Sequence, residues 1–227
     1  MTPARAPAAE TGLSTSTEAD KSPATTKNHL ANGSSGCCAD SVDNDVELFD
    51  SKILFDLDFS NPASDYRGMD LCPKTPGKGL RMRALRRGDF QRGYVGLLGQ
   101  LAHVGEVTER MYKDRFDGMR NCPNTYYTIV LEDEVHHKIV GAATLVVEQK
   151  FIHSAALRGR IEDVVVLEDR RGQDLGKLLM DTATLLSKTL GCYKVSLECK
   201  DKLVGFYRQF GYQVDLGNNY MIQRFRN

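Results

Sequence analysis

The residues best suited to chemistry lie in the stretch "RRGQDLGKLL", which separates a valine-rich segment from a run with helical periodicity. Arg171, Gly172 and Gly176 stand where a helix would begin. The first N–H groups of a helix have no partner within it and carry the positive end of its dipole. Glycine also lets the backbone approach a phosphate closely. The stretch therefore predicts an anion site, although such strand-to-helix turns also occur merely to reverse the chain.

Two common nucleotide-binding motifs do not fit this stretch. A Walker motif ends in Gly-Lys-Ser/Thr, but Lys177 is followed by Leu178. The dinucleotide-binding fingerprint needs three glycines, and the stretch offers only Gly172 and Gly176. What remains is similar to motif A of the GNAT acetyltransferases, Arg/Gln-x-x-Gly-x-Gly/Ala. Asp174 stands at the position of its middle glycine.

The elements that must position this turn follow from apolar periodicity. Strands are predicted at 80–87, 125–133, 138–152, 159–169, 193–199 and 219–225, and helices at 89–102, 106–120, 173–190 and 202–211. The segment "EVHH" between the second and third strands predicts a hairpin, and Val164, Val165 and Val166 are typical of a strand covered on both faces. The order of elements indicates a single α/β domain of about 150 residues.

Composition limits the classes of partner. The 227 residues include 30 Lys and Arg and 30 Asp and Glu, so no basic field attracts nucleic acid or a membrane surface. No apolar run reaches the length of a membrane span, and the N-terminus lacks the pattern of a secretory signal. The six cysteines show no metal-type or CxxC spacing. We therefore expect a cytoplasmic protein with reduced thiols and without a metal site.

Three regions differ in composition. Residues 1–45 are polar and almost free of large apolar side chains, which predicts a disordered tail. Residues 46–79 contain "ELFDSKILFDLDF" and are expected to form an arm that packs on the domain. The domain itself is predicted to span 80–227.

Several further segments resemble the glucosamine-6-phosphate N-acetyltransferases, a group within the GNAT acetyltransferases. They are "LGQLAHVG", "EQKFIHSAALRGR", "RGRIEDVVV", "RRGQDLGKLL", "LSKTLGCYKVSLEC" and "VGFYRQFGY". The resemblance runs in order from about residue 80 to 225. It implies a GNAT fold: a central mixed, mostly antiparallel sheet, helices on both faces, and a splayed strand pair that forms the acetyl-CoA site.

The resemblance also implies a reaction. Enzymes of this group move acetyl from acetyl-CoA to the 2-amino group of D-glucosamine 6-phosphate by direct attack in a ternary complex, a step toward UDP-N-acetylglucosamine. Glu198 matches the general base, acting directly or through water, and Tyr207 matches the acid that protonates the leaving thiolate. Backbone amides of residues 164–166 would hold the pantetheine arm. The pyrophosphate cradle would comprise Arg171, Gly172, Gln173, Asp174, Leu175, Gly176 and Lys177.

The resemblance assigns the sugar side as well. Glu162 and Asp163 would accept hydrogen bonds from the sugar hydroxyls and the amine. The sugar and its 6-phosphate would be held by Lys150, Phe151, Ile152, His153, Arg158 and Arg224. The site of the group lies at a homodimer interface, so a homodimer is expected.

Asp174 departs from motif A of the GNAT acetyltransferases, although the middle position is not reliably glycine in this group, and we expect its side chain to face solvent. Two other places depart from the pattern of the group itself. Ala102, His103 and Val104 stand where threonine hydroxyls usually lie near the substrate phosphate. Leu203 stands where an asparagine commonly contacts the coenzyme.

Two other functions stay open at this point: a GNAT enzyme acting on another amine or on a protein, and a non-catalytic acetyl-CoA sensor. The basic residues Lys150, Arg158 and Arg224 favour a small anionic substrate over a protein. The presence of both Glu198 and Tyr207 favours a catalyst over a sensor, because a sensor needs neither a base nor an acid.

Overall fold

The computed structural model describes residues 43–225. All but the last three positions of the predicted tail, 1–45, lie outside this range. The strands are β1 (Leu80–Ala84), β2 (Tyr126–Asp133), β3 (Lys138–Gln149), β4 (Leu157–Val166) and β5 (Cys192–Leu197). The helices are α1 (Lys52–Phe55), α2 (Tyr94–Leu98), α3 (Glu109–Arg120), α4 (Leu175–Thr189) and α5 (Val204–Arg208). None of the helices described is long and apolar enough to cross a membrane.

The strands form one sheet in the order β1-β2-β3-β4-β5. Neighbours from β1 to β4 run antiparallel, whereas β4 and β5 run parallel. A parallel pair requires a crossover connection, and α4 supplies it. The predicted mixed, mostly antiparallel sheet is confirmed.

Strand β4 extends beyond its parallel partner. Pairing between β4 and β5 ends at Ile161 and Leu197, but β4 continues to Val166 with only β3 beside it. The β5-side edge of residues 164–166 therefore has no strand partner within the described part of the chain. This divergence confirms the predicted splayed pair.

A β-bulge lies where the two strands part. The register of β3 against β4 shifts between Ala142 and Thr144, and Asp163 has a φ of 53°. One extra residue inverts the alternation of side chains along a strand. As a result Ile161 and Val164, three positions apart, both pack in the core under α4. The bulge thus changes the face to which the last side chains of β4 point, next to the place where β5 diverges.

Helices cover both faces of the sheet, as predicted. On one face, α4 buries Leu178, Leu179 and Ala183 completely. On the other face, α2 and α3 bury Leu97 and Phe116 against the sheet. The two apolar clusters hold the sheet between them.

The segment 46–79 contributes to the first of these clusters. Leu54 of α1 is fully buried, and Leu57 and Tyr66 are 8% and 6% exposed. Further along this segment, Tyr66 lies against α4 through a hydrogen bond to Asp181. The N-terminal arm, residues 46–79, therefore shares the core with the helix that begins at the predicted anion turn.

Two elements differ from the predictions. The helix expected at 89–102 is reduced to Tyr94–Leu98, because Gly93 at its start is left-handed (φ 81°) and Gly99 follows its end. The strand expected at 219–225 is wrong: these residues are described and take no regular structure. They have no neighbouring strand in the sheet, and apolar alternation alone does not make a strand without a partner.

Candidate active site

The glycine turn leads from β4 into α4. Gly172 and Asp174 have positive φ values of 79° and 57°, so the chain reverses sharply before the helix. The first hydrogen bond of α4 joins the Leu178 N–H to the Asp174 carbonyl at 3.0 Å. The N–H groups of residues 175–177 precede that bond and can meet an anion.

A cavity of about 210 Å³ lies at this turn. All predicted residues from Arg171 to Lys177 except Gln173 line it, together with Val166 and Phe206. The Cα of Gly176 faces the Phe206 ring and Val166, and a Cβ there would meet both at ordinary van der Waals distance, 3.8 and 3.9 Å. The free N–H groups, the open cavity and the unpaired edge of β4 fit a phosphate-bearing ligand with an extended arm.

The expectation that Asp174 faces solvent is wrong. Its side chain is only 9% exposed and points to the N-terminal arm, where its Oδ2 lies 2.6 Å from Arg67 Nη2. Lys177 Nζ lies 3.2 Å from its Oδ1. Burial alone would raise the pKa of Asp174, but hydrogen bonds from Arg67 and Lys177 outweigh it and hold this pKa below its ordinary value. The carboxylate is thus ionised but neutralised by two cations.

A second cavity, of about 680 Å³, lies where β5 ends and α5 begins. Glu198, one residue beyond β5, and Tyr207 of α5 both line it. The Tyr207 ring packs against Phe206 at 5.2 Å between centroids. Burial, with the nearby Cys199 adding to it, raises the pKa of Tyr207, so its hydroxyl stays protonated and able to donate a proton.

Glu162 of β4 lies close enough to Glu198 of this cavity, and to its neighbour Asp163, for their charges to act on it. Burial is the main cause of the raised pKa of Glu162, and the charges of Glu198 and Asp163 raise it further. Desolvation also raises the pKa of Asp163, although that residue still reaches solvent. Glu162 also forms an ion pair with Arg160 at 2.7 Å, and this pair opposes the rise in the pKa of Glu162. Three carboxylates, with one arginine to balance them, form a site that favours a bound cation such as an ammonium group.

The predicted basic segment lies at the other end of β4. Lys150 forms an ion pair with Glu148, and Arg158 Nη1 lies 3.8 Å from the same carboxylate. Arg158 also donates to Ser196 Oγ at 3.0 Å. Arg158 and Glu162 are four residues apart on one strand, which places their Cα atoms about 13 Å apart. The Arg158 side chain reaches Ser196, two residues before Glu198, while its ion pair is with Glu148.

The other residues of this segment are open to solvent. Phe151 and Ile152 are 102% and 63% exposed. The His153 ring lies 4.5 Å from that of Tyr193, and residues 153–155 have positive φ. Arg224 lies in the irregular C-terminal segment and contacts none of the other described charged groups. An exposed apolar pair on a constrained turn, beside charged groups, is typical of a contact surface.

The sequence predictions did not include Arg160 and Lys194. The register pairs Arg158 with Lys194 and Arg160 with Ser196, so these side chains share one face of the sheet with Glu162. Alternation along "RGRIED" could have placed Arg160 on that face. This face carries bases toward the start of β5 and acids toward its end.

Among residues 43–225 no cluster of three or more His, Cys, Asp or Glu side chains is arranged to hold a metal ion.

Comparison with known proteins gives consistent results. The pattern of the acetyltransferase (GNAT) family matches residues 90–212. A Drosophila melanogaster protein named probable glucosamine 6-phosphate N-acetyltransferase is 43% identical over 173 residues, which cover 76% of this chain and 78% of that protein. The crystal structure of glucosamine-6-phosphate N-acetyltransferase from Arabidopsis thaliana matches with a TM-score of 0.58 and 33% identity, over 65% of this chain and 97% of that one. A Trypanosoma brucei acetyltransferase structure matches with a TM-score of 0.59 and 30% identity, over 64% and 99% of the two chains.

The mixed sheet, its diverging strand pair and the glycine turn on α4 define a GNAT-fold acyltransferase. Within that fold the chain belongs to the glucosamine 6-phosphate N-acetyltransferases.

Proposed function

We propose that the protein transfers the acetyl group of acetyl-CoA to the 2-amino group of D-glucosamine 6-phosphate. The products are N-acetylglucosamine 6-phosphate and CoA, and the amine attacks directly in a ternary complex. The observation that carries the proposal is the shared cavity of Glu198 and Tyr207 at the point where β4 and β5 part. This reaction is a cytoplasmic step toward UDP-N-acetylglucosamine.

The coenzyme lies along the unpaired edge of β4, with its pyrophosphate on the glycine turn. The N–H groups of residues 175–177 and the positive end of α4 bind the phosphates. Backbone amides of residues 164–166 bond the pantetheine arm and polarise the thioester carbonyl, which stabilises the developing oxyanion. This arrangement leads the acetyl group to the cavity beside Tyr207.

The amine is deprotonated and attacks at that cavity. The substrate ammonium binds near Glu162 and Asp163, and Glu198 accepts its proton either directly or through water. The amine nitrogen then forms a bond to the acetyl carbon, and the carbon–sulfur bond breaks. Tyr207 gives its proton to the departing thiolate, and its raised pKa keeps that proton available at neutral pH. The nitrogen loses its second proton as the amide forms, and that proton restores the Tyr207 hydroxyl.

The sugar phosphate is held by Lys150, Phe151, Ile152, His153, Arg158 and Arg224. In one chain the Cα atoms of Arg158 and Glu162 lie about 13 Å apart along β4. A homodimer resolves this separation if each site takes its acids from one chain and part of its basic segment from the other. The exposed Phe151 and Ile152 support such an interface, as do the exposed side chains of Tyr220, Met221 and Ile222.

A thiol-release assay with acetyl-CoA and a panel of amines tests this function. We expect turnover with glucosamine 6-phosphate and a kcat/KM about a hundredfold lower with glucosamine, since the latter leaves the phosphate-binding cations unpaired. Glu198→Gln serves as the inactive control. Equal rates with both sugars would contradict the phosphate assignment, and release only with peptide amines would identify a protein acetyltransferase. Binding of acetyl-CoA without release for any amine would identify a sensor.

A further inference from the structure

The N-terminal arm is fixed to the middle of α4 by a buried polar contact. Asp181 of α4 is 2% exposed, and its Oδ2 accepts hydrogen bonds from Tyr66 Oη at 2.6 Å and from the Ser64 N–H at 3.2 Å. A buried carboxylate is costly unless it is hydrogen-bonded. Tyr66, itself 6% exposed, supplies that bond and in doing so fixes the residue that follows it.

The following residue, Arg67, reaches the glycine turn. Its Nε and Nη2 donate to Asp174 Oδ2 at 3.1 and 2.6 Å, and Nη2 also donates to the Gly172 carbonyl at 3.3 Å. Its backbone has a φ of 55°, a conformation that non-glycine residues rarely adopt, and its N–H donates to Asp65 Oδ1 at 2.8 Å. The arm thus holds a strained arginine against the turn.

These contacts determine the charge of the turn. Asp174 contributes one negative charge among N–H groups that are suited to an anion, and it would repel a pyrophosphate. Lys177 offsets that charge, and Arg67 turns the balance positive. The Arg67 side chain is 62% exposed, so its guanidinium can also meet a ligand from the solvent side.

We propose that Arg67 is a coenzyme-binding residue supplied by the N-terminal arm: it neutralises Asp174 and presents a cation to the phosphates of acetyl-CoA. The inference rests on the proposed function in that acetyl-CoA is the ligand of the turn. Asp174, which replaces a glycine of motif A, is then the residue that holds Arg67 in place. Arg67 acts on binding of the coenzyme and not on the chemical step.

The test compares Arg67→Ala with wild-type enzyme on two acetyl donors. We expect the KM for acetyl-CoA to rise about fivefold to tenfold, the size of one lost charge-assisted contact, with kcat unchanged. The kcat/KM for acetyl-pantetheine, which has no phosphate, should stay within about twofold of wild type because the lost contact is to the phosphates. Arg110→Ala is the matched control, since Arg110 is 91% exposed on α3 and, among residues 43–225, its ion pair is with Asp114 at 3.8 Å.

Rescue separates charge compensation from a structural role. In Arg67→Ala/Asp174→Gly the acid is removed along with its partner, so its repulsion of the phosphates is lost while the cation of Arg67 is still missing. We therefore expect a partial rescue, with the KM for acetyl-CoA about twofold to threefold above that of wild type. A purely structural clamp would instead weaken both donors equally and gain nothing from Asp174→Gly. Either of these results would overturn the proposal.

Binding measurements separate this inference from the proposed function. Calorimetric titration with CoA alone should give a Kd about fivefold to tenfold higher for Arg67→Ala, whether or not glucosamine 6-phosphate is the acceptor. If the wild-type protein binds CoA but does not acetylate glucosamine 6-phosphate, the proposed function is refuted, while the comparison of Kd values between wild type and Arg67→Ala still tests the Arg67 inference. An active wild type and an unchanged Kd in Arg67→Ala would refute the Arg67 inference alone.

Discussion

The coenzyme turn and the sugar-phosphate segment are built in opposite ways. Residues 171–177 are contiguous, belong to one turn, and all but Gln173 line one cavity within a single chain. The cations assigned to the sugar phosphate are scattered from Lys150 to Arg224, and Lys150 and Arg158 lie at the far end of β4 from Glu198. A contiguous motif uses backbone groups that its own fold makes available, whereas a dispersed site depends on assembly. Binding of the coenzyme should therefore survive changes in assembly that abolish binding of the sugar phosphate.

Tyr207→Phe tests the chemical step that both regions serve. We expect kcat to fall about 100-fold to 1000-fold, since the general acid is lost, while the KM values for both substrates stay within about twofold. Steady-state thiol release measures all three parameters. Tyr212→Phe is the matched control, because Tyr212 lines the same cavity but bonds Thr184 at 2.9 Å. A fall in kcat of equal size in both variants would contradict the assignment.

A hybrid dimer tests whether the sugar site takes residues from two chains. Arg158→Ala and Glu198→Gln should each lose at least about tenfold in kcat/KM for glucosamine 6-phosphate. When the two variants are co-expressed with different tags and the hybrid is purified, one of its two sites combines an intact Arg158 with an intact Glu198. We expect about half of the wild-type kcat per dimer. Activity of the hybrid no higher than the mean of the two parents would show that each site lies within one chain.

Asp163→Asn tests the acids at the bulge. Because the folded-state pKa of Asp163 is raised, the folded protein favours the protonated form. This destabilising contribution is absent below the ordinary value of 3.8 and grows as the pH rises through the raised pKa. Asparagine tolerates a positive φ, so we expect the variant to be more stable than wild type at pH 7, by less than about 1 kcal/mol because solvent screens an exposed carboxylate.

Urea unfolding at pH 7 and pH 3.5 measures this effect. The difference in the free energy of unfolding should disappear at the lower pH, while activity at pH 7 falls. A gain that persists at pH 3.5 would point to a change in packing and not in charge.

Leu203→Asn tests the coenzyme side with the smallest expected change. Leu203 is 38% exposed on the 3₁₀ turn Asp201–Leu203, where the resemblance places an asparagine that contacts the coenzyme. One added hydrogen bond should lower the KM for acetyl-CoA about twofold without changing kcat. Leu203→Ala is the control. An equal change in KM in both variants would mean that the effect comes from loss of the leucine side chain and not from a new hydrogen bond.

Local patterns predicted much of this fold. The valine strand, the helix after the glycine turn and the hairpin at "EVHH" follow from side-chain period and turn residues, and each is present in the structure. Arg83 shows where such patterns fail. Strand alternation places Arg83 on the other face of β1 from the buried Met82, where a solvent-facing side chain is expected. Arg83 is nevertheless fully buried, because it forms ion pairs with Asp89 and Glu132 at 2.7 Å. Those partners come from a later turn and from another strand, and the apolar periodicity of β1 carries no information about them.

The candidate site was predictable where it is contiguous. The turn was found from glycine spacing, but Asp174 was misjudged because its partner, Arg67, lies 107 positions earlier in the chain. The bulge at Asp163 was missed because a two-to-one pairing depends on the neighbouring strand as much as on the sequence of β4. Glu198 and Tyr207 were identified through resemblance; nothing in their spacing alone indicates a shared cavity.

The contact between Tyr66 and Asp181 has a thermodynamic consequence for the N-terminal arm. If coenzyme phosphates favour Arg67 in its observed position, docking of the arm must in return favour the coenzyme by the same factor. Local release of the arm, which exposes the peptide bond after Arg67 to trypsin, should then become rarer as CoA is added. Cleavage there would report occupancy of the turn without any acceptor present. The arm thus couples its own opening equilibrium to the saturation of the enzyme by its acetyl donor.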